Sequence, residues 1–599
     1  MIKKENKIQT LRNTIKSLKY IIKQIWKEND GKKYIIIKML ASILNSVLPL
    51  VYTIVPGLII NILTNGVWNN DLIFCVAVIT ITPVILSVFN TLIDSHLYKI
   101  KLKLRLLFIG QFYLYTATMD YETVENPDIQ IQKGRVQQTL ENSIDIIDRQ
   151  ITLFSAIIRL IMISYVILTL NPFIILLIAI LIYFNSFLTK KINKKMYIIG
   201  QELSRHDRQQ WGISYMLEQP MYAKEIRLFR LSKLMTDIYK KRKTEANLLE
   251  VKQFKISRKL GIFNSILNFI QQLVVYIYLI YSVLKRNLEV GSMTIYIGMV
   301  AQFTTALSSV FDIYLSLANE NFNIQEMKDF FDIPKRHFNS GKKKPKFDSN
   351  STIEFRNVSF KYPGSDNYAL KNLNLTIRGN EKLCIVGVNG SGKSTFIKLL
   401  TRLYWLEEGE ILLNGVNINE YDYESYQRLF APVFQDFVRY YFTLGENIVL
   451  TNEFNLEKLD DICEKCGLKK LVNRLPKGYN TQVDKFIDEE GFEPSGGEDQ
   501  RIAIARAYYN GGKIYLLDEP TAAIDPIAEY EIYKQFNNMM NEKCAVLITH
   551  RLSAVQLVDK IAVFDNGHVS EYGTHIELYS RNGIYTEMFD KQAQFYCSK

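Results

Sequence analysis

Cysteine is scarce in this chain. There are six in 599 residues, and apart from Cys463-Glu464-Lys465-Cys466 each stands alone. No disulfide framework is expected, and the one C-x-x-C has neither a second pair nor histidines beside it, so it does not read as a zinc site. Spaced i, i+3, its thiols instead share one helix face in a reducing compartment. The start has no short apolar segment followed by a small-residue cleavage site, so no removable signal peptide is expected. Acidic residues are outnumbered, 61 Asp and Glu against 73 Lys and Arg, for a net charge of +12. Such an excess can serve nucleic acid, but here much of it lies in the first 38 residues and in loops beside apolar runs. In those places basic side chains fix the orientation of membrane segments, and a nucleic-acid partner is not expected.

What is present divides in two. At 599 residues the chain outgrows a single core. Residues 1–333 are crowded with apolar runs, 334–351 form a polar basic linker, and 352–599 have the mixed composition of an α/β domain. Six membrane spans are predicted near 35–63, 72–98, 148–170, 173–195, 260–284 and 292–318, since crossing takes about 20 apolar residues. Three connections are short, and two, Ser95–Arg149 and Thr189–Lys259, are long and charged. With the lysine-rich start inside, every long basic connection falls on the cytosolic side, Lys285 and Arg286 being a local exception. The N-terminus and the α/β domain are therefore placed in the cytoplasm.

The long connections lack turn signals near the membrane, so their helices should continue past it and turn near Tyr121–Ile131 and Tyr215–Ile226, where Pro127 and Pro220 interrupt. Before the spans, Leu11, Ile15, Leu18, Ile22 and Ile25 recur at helical spacing. That stretch reads either as a helix on the inner membrane surface or as one packed on the first span. Arg159, mid-span, is a candidate for lining a translocation cavity, as is the stripe Asn264, Asn268, Gln271 and Gln272; the competing reading is helix-to-helix pairing. Asp94 and Asp312 lie toward span ends and read equally well as solvated.

The chemistry lies in the second half. Gly387, Val388, Asn389, Gly390, Ser391, Gly392, Lys393, Ser394 and Thr395 stand between the apolar run Leu383–Val386 and the helix-prone Phe396–Leu400. This is G-x-x-x-x-G-K-S between a strand and a helix, a phosphate cradle. Its backbone N–H groups and helix end face the β-phosphate, Lys393 reaches the β and γ oxygens, and Ser394 ligates Mg²⁺. The apolar strand Ile514–Leu517 ends in Asp518 and Glu519, which suit Mg²⁺ coordination and polarisation of the attacking water. Ser495-Gly496-Gly497-Glu498 opens a helix with the form of a capping box and leaves bare N–H groups at a second positive helix end.

Taken together, the phosphate loop, SGGE followed by Asp499-Gln500-Arg501, the LLDE strand and His550 after AVLITH resemble, in order and spacing, the nucleotide-binding domain of ABC transporters. With six spans ahead of it, the whole chain is similar to an ABC exporter half-transporter: an all-α membrane domain followed by an α/β P-loop ATPase domain. The resemblance implies ATP and Mg²⁺ as cofactors. It makes Tyr362 the aromatic that stacks on adenine and Gln435 the residue linking Mg²⁺ to the membrane domain. Ser495 and Gly497 would bind the γ-phosphate of the opposing subunit, and Glu519 would be the catalytic base. Asp525 would be the interfacial aspartate, His550 would contact the γ-phosphate, and 121–131 and 215–226 would be the coupling segments. Two departures stand out, Pro494 and Glu498 where the family's signature usually has Leu and Gln. Both are compatible with an N-cap, so a hydrolytically competent site is expected.

One phosphate loop and one signature per chain imply a dimer of two copies in the bacterial cell membrane. Val433–Tyr440 and Tyr222–Leu228 look similar to the corresponding segments of lantibiotic and other bacterial peptide exporters. The expected cargo is therefore a peptide; a lipid or amphipathic drug is the alternative. A nucleotide-gated channel or regulator is a second class, disfavoured by the intact Glu519, and a soluble ATPase on nucleic acid fails on six spans.

Overall fold

The structure, a computed structural model, describes residues 7–64, 70–168, 209–286, 288–337, 340–519, 543–549 and 558–597, with a few further positions in the intervening stretches. It forms two compact units, Met1–Tyr113 with Gln132–Asp332, and Leu114–Ile131 with Ile333–Lys599.

The first unit is helical: α1 (Lys7–Lys27), α2 (Asn29–Thr64), α3 (Asn70–Ala117, passing into the second unit at Leu114), α5 (Pro127–Glu141, from Gln132), α6 (Ser143–Leu168), α7 (Pro220–Leu228), α8 (Ser232–Arg286) and α9 (Val290–Phe331). Between α3 and α5 lies the single turn α4 (Tyr121–Val124), in the second unit. Five of these helices, α2, α3, α6, α8 and α9, are long and apolar enough to cross a membrane. The expected span at 173–195 lies almost wholly outside the described residues. At about 1.5 Å per residue, the 48 residues of α3 and the 55 of α8 far exceed a hydrocarbon layer of about 30 Å. Pro220 stands at the start of α7 and Pro127 at the start of α5, where a missing N–H costs nothing.

The bundle core is a seam of Ile163 and Ile167 from α6, Val275 and Leu279 from α8, and Met299, Val300 and Phe303 from α9. Ile73, Phe74, Val84, Ile85 and Leu92 on α3 are exposed, as suits a helix whose apolar side meets lipid. Polar groups meet across helices: Gln271 donates to Thr304, and Gln302 donates to the Pro49 carbonyl and to Thr53. Near the far ends of the spans Lys101 and Arg105 pair with Asp145, and Tyr34 donates to Asp148 at 2.7 Å. Lys38 pairs with Asp94 at 3.3 Å.

The second unit carries two sheets. A four-stranded antiparallel sheet has the order β2-β1-β4-β5, from β1 (Thr352–Phe360), β2 (Leu370–Arg378), β4 (Glu408–Leu413) and β5 (Val416–Asn417). The other runs β10-β9-β3-β8-β7-β6, from β3 (Lys382–Gly387), β6 (Phe430–Val433), β7 (Ile514–Asp518), β8 (Cys544–Ile548), β9 (Lys560–Asp565) and β10 (His568–Gly573), all parallel except β10. Its central strands are buried on both faces: on β7, Ile514 and Leu516 join one core cluster and Tyr515 and Leu517 the other. Hence the sequence there is a continuous apolar run rather than an alternation.

The expected linker 334–351 packs closely. The Asp120 carboxylate accepts the backbone N–H groups of Arg336 (2.6 Å) and His337 (3.2 Å). Arg402, 1% exposed, donates to Ser340 Oγ and the Tyr421 carbonyl, and the buried His337 ring stacks on Tyr423. Cys463 and Cys466 are buried free thiols.

A close backbone approach fixes α2 against α9. A Cβ on Gly57 would stand 2.2 Å from Ile295 Cγ1 and 2.6 Å from the Gly291 carbonyl. Gly57→Val is expected to lower the melting temperature of the detergent-purified protein by several degrees, about 1–3 kcal/mol. Gly261→Ala, with open space around the added carbon, should not lower it. Equal melting of Gly57→Val and the wild type would remove this contact from the bundle.

Candidate functional site

Parallel strands deliver their following loops to one edge of a sheet, where ligands collect. Here β3 delivers the loop 387–392 and the helix α10 (Lys393–Leu400), β6 delivers Gln435, β7 ends in Asp518 and Glu519, and β8 ends at Ile548. Tyr362 arrives from the end of β1. They meet in a cleft of about 780 Å³, lined by Tyr362, Gly387–Gly390, Gly392–Thr395, Gln435, Asp518, Glu519 and Met588 among others.

The loop's glycines are required by its shape. Gly392 has φ +103°, and a Cβ there would meet the Ala369 carbonyl at 2.8 Å; at Gly387 a Cβ would meet the Phe564 carbonyl at 2.3 Å. Lys393 turns back into the loop, donating to the carbonyls of Gly387 (2.9 Å) and Val388 (3.0 Å). Burial lowers its pKa, against the pull of Glu519 and Asp518. Ser391 is 2% exposed and its hydroxyl has no hydrogen-bond partner among the described residues. A buried, unsatisfied donor in a glycine cradle suits an incoming phosphate oxygen. Thr395 Oγ1 lies 3.0 Å from the Tyr362 hydroxyl, so the aromatic rests against the loop.

Carboxylates crowd the other wall. Burial raises the Asp518 pKa to about 6, helped by the negative charges of Glu519 and Asp436. Glu519 sits at φ +43°, an αL conformation that a residue with a side chain adopts at a cost. Among the described residues no group of three or more His, Cys, Asp and Glu side chains is arranged to hold a metal. Ser394, Gln435 and Asp518 line the cleft beside the phosphate loop and offer oxygen donors of the kind Mg²⁺ takes, since that ion keeps waters and is shared with phosphates.

Ser495, Gly496, Gly497 and Glu498 are not among the residues lining this cleft. They open α11 (Gly496–Asn510), with Ser495 as N-cap in a complete capping box, and Ser495 and Gly496 are exposed. Arg439, four residues beyond Gln435, pairs with Asp499 on the same helix. Asp525 and His550 lie outside the described residues.

A contact that sequence reasoning missed lies on the far side of α10. Lys398 stands 5.3–5.5 Å above the rings of Tyr121, Tyr362 and Tyr404, and 3.3 Å from Glu125. Glu125 also accepts the hydroxyls of Tyr121 (2.5 Å) and Tyr404. Burial opposes its charge, but these donors and Lys398 prevail and hold its pKa low. Thus α4 and the turn after it join the nucleotide cleft through a lysine and three tyrosines.

In the membrane unit, the Arg159 Nε and Asn264 Oδ1 atoms are buried without a hydrogen-bond partner among the described residues, and Asn268 is exposed. Gln271 is 3% exposed and committed to Thr304.

A family model described as ABC transporter matches residues 370–522. The chain is 32% identical over 565 residues to the subtilin transport ATP-binding protein SpaT of Bacillus subtilis, covering 92% of this chain and 90% of that one. It is 28% identical over 571 residues to the nisin transport ATP-binding protein NisT of Lactococcus lactis subsp. lactis, covering 93% of each. Its fold matches a bacterial Atm1-family ABC exporter with ATP bound at a TM-score of 0.79 and 21% identity, covering 94% of this chain and 99% of that one.

The raised Asp518 pKa has two opposite consequences. Between about 4, the ordinary carboxylate value, and about 6, the fold holds a proton that the unfolded chain releases. Its contribution to stability is therefore complete below about 4 and lost as pH rises through about 6. Were Asp518 to hold Mg²⁺, it would need its charged form, and Mg²⁺-dependent ATP binding would weaken as pH falls through about 6. Glu519→Gln removes a neighbouring negative charge and should move that midpoint down; titration of ATP binding between pH 5 and 8 would show it, and an unmoved midpoint would unseat the coupling.

Proposed function

This chain belongs to the ABC transporter family as an exporter half-transporter whose ATP hydrolysis is coupled to transport, and from that premise we propose that two identical copies pair to export a peptide across the bacterial cell membrane. The observation that carries the pairing is the separation within one chain. The phosphate loop and both strand-end carboxylates share a cleft, while Ser495 and Gly496 face solvent as an exposed anion-binding helix start. Two copies arranged head to tail bring each serine-glycine turn against the other's triphosphate.

In this arrangement Tyr362 stacks on the base, and the loop 387–395 with Lys393 holds the β- and γ-phosphates. Ser394, Gln435 and Asp518 would hold Mg²⁺, which would supply charge neutralisation to the phosphates. Glu519 orients and deprotonates the attacking water, and Ser495 with the Gly497 N–H closes over the γ-phosphate. His550 and Asp525 complete the interface. ATP binding draws the copies together, and hydrolysis releases them. The motion reaches the spans through 121–131, which folds with the ATPase unit, and through 215–226, whose Tyr215, Leu217 and Met221 are exposed. Arg159 and Asn264 line the translocation path, with Asn268 and Gln271 on the same helix. The N-terminus and ATPase unit lie in the cytoplasm.

The peptide reading is supported by the extent of the likeness: relatives named for transport of subtilin and nisin match the membrane half as well as the ATPase half. In liposomes with the ATPase units outward, lantibiotic-type peptides should stimulate ATP hydrolysis and accumulate inside. Stimulation by lipophilic cations or lipids alone would overturn the peptide assignment. Glu519→Gln is expected to bind ATP as well as wild type and to lose nearly all turnover; brisk hydrolysis would move the base elsewhere. Glu125→Gln and Lys398→Ala should lower the transport achieved per ATP more than the ATPase rate itself, and an unchanged ratio would take this cluster out of the coupling path.

A further inference from the structure

Glu498 stands where the family's signature usually has an uncharged amide, and its placement has a chemical effect. Its Oε2 accepts both the backbone N–H of Ser495 (2.8 Å) and the Ser495 hydroxyl (2.9 Å), while its own N–H donates to Ser495 Oγ (3.4 Å). The hydroxyl proton that a phosphate oxygen would take is thus already directed into a carboxylate. Oε1 of the same group pairs with Nη2 of Arg474 at 2.9 Å, from the short helix Lys469–Arg474. Burial opposes the charge of Glu498, but the Ser495 donors and Arg474 outweigh it and hold its pKa low, so the group is anionic at neutral pH.

We propose that Glu498 is an internal competitor of the triphosphate for the serine-glycine turn, and that Arg474 sets how strongly it competes. This rests on the reading of Ser495–Gly497 as the grip on the partner copy's nucleotide. A carboxylate at a helix N-terminus is favoured by the same N–H groups and dipole that favour phosphate, so the two anions contend for one field. When a triphosphate approaches, the Ser495 hydroxyl rotates from Glu498 to a phosphate oxygen. The carboxylate then keeps only the Ser495 backbone N–H and the charge of Arg474. Without that guanidinium, two uncompensated negative groups face each other and closure requires more ATP. Glu498 and Arg474 are positioning residues: they act through Ser495 and raise or lower the ATP concentration at which the pair closes.

The test is a double-mutant cycle on the full-length protein in nanodiscs, reading the ATP concentration for half-maximal hydrolysis. Glu498→Gln should lower it by about threefold, the scale of a charge at a helix end. Arg474→Ala should raise it by about three- to fivefold in the wild type, yet by less than about twofold when combined with Glu498→Gln. Arg474→Lys should stay close to wild type. A loop-propping role for Arg474 predicts the same penalty in both backgrounds, and that result would overturn the proposal. Should Arg474→Ala fold poorly by melting temperature, Arg474→Gln repeats the cycle with the stem retained. The underlying reading is tested apart: Ser495→Arg should abolish hydrolysis while leaving a fluorescent ATP analogue bound at the phosphate loop. Full hydrolysis in that variant would remove the turn from the reaction. Its loss together with a background-independent Arg474 effect would overturn only the competition by Glu498.

Discussion

The ion pair between Lys398 and Glu125, held among three tyrosines, is the constraint on which the rest of the structure depends. Lys398 lies on α10, the helix whose first residue, Lys393, belongs to the phosphate loop. Glu125 caps a short turn between the two long helical stretches α3 and α5. At 3.3 Å and partly exposed, the pair lies among rings, with the hydroxyls of Tyr121 and Tyr404 directed at the same carboxylate, so Glu125 is held by three donors at once. The pair thereby ties α10, which begins at the phosphate loop, to the turn just ahead of α5.

The chemistry of the cleft was legible where it is local in sequence. The glycine loop, the strand ending in Asp518 and Glu519 and the capping box at Ser495 each consist of residues that are chain neighbours, and their physics is set by a strand end or a helix start. The structure brings the phosphate loop, Gln435 and both carboxylates into one cleft because their strands are parallel members of one sheet. What the chain did not reveal joins residues far apart in sequence. Glu125 meets Lys398 across 273 positions, and Arg402 meets Ser340 through burial that no motif marks. The polar stripe on α8 shows the same limit within a helix: spacing placed Asn264, Asn268 and Gln271 together. Only packing distinguishes Gln271, bonded to Thr304, from Asn264, whose buried oxygen has no partner among the described residues.

The stretch 334–351 carries a related lesson. Its lysines, glycine and asparagines suggested a polar basic linker, and connecting segments run over the surface. Instead His337 is fully enclosed, and the buried cation Arg402 donates from its Nη1 to the Tyr421 carbonyl and from its Nη2 to Ser340. Asp120, just ahead of α4, binds two successive backbone N–H groups of this stretch. Composition described the surface of the segment, while its anchoring comes from a few side chains whose partners lie elsewhere.

The membership of Leu114–Ile131 in the ATPase unit bears on biogenesis. These residues leave the ribosome about two hundred positions before Ile333, the next part of the same unit. Until Arg336 and His337, and then Lys398 and Tyr404, have been synthesised, Asp120 and the Tyr121–Glu125 pair lack those partners, and the helices on either side must insert with the turn between them unfinished. The chain therefore cannot mature strictly from one end to the other. Its first half waits for its last, and a nascent protein stalled in between would present an unfilled aromatic shelf to the cell's chaperones and proteases.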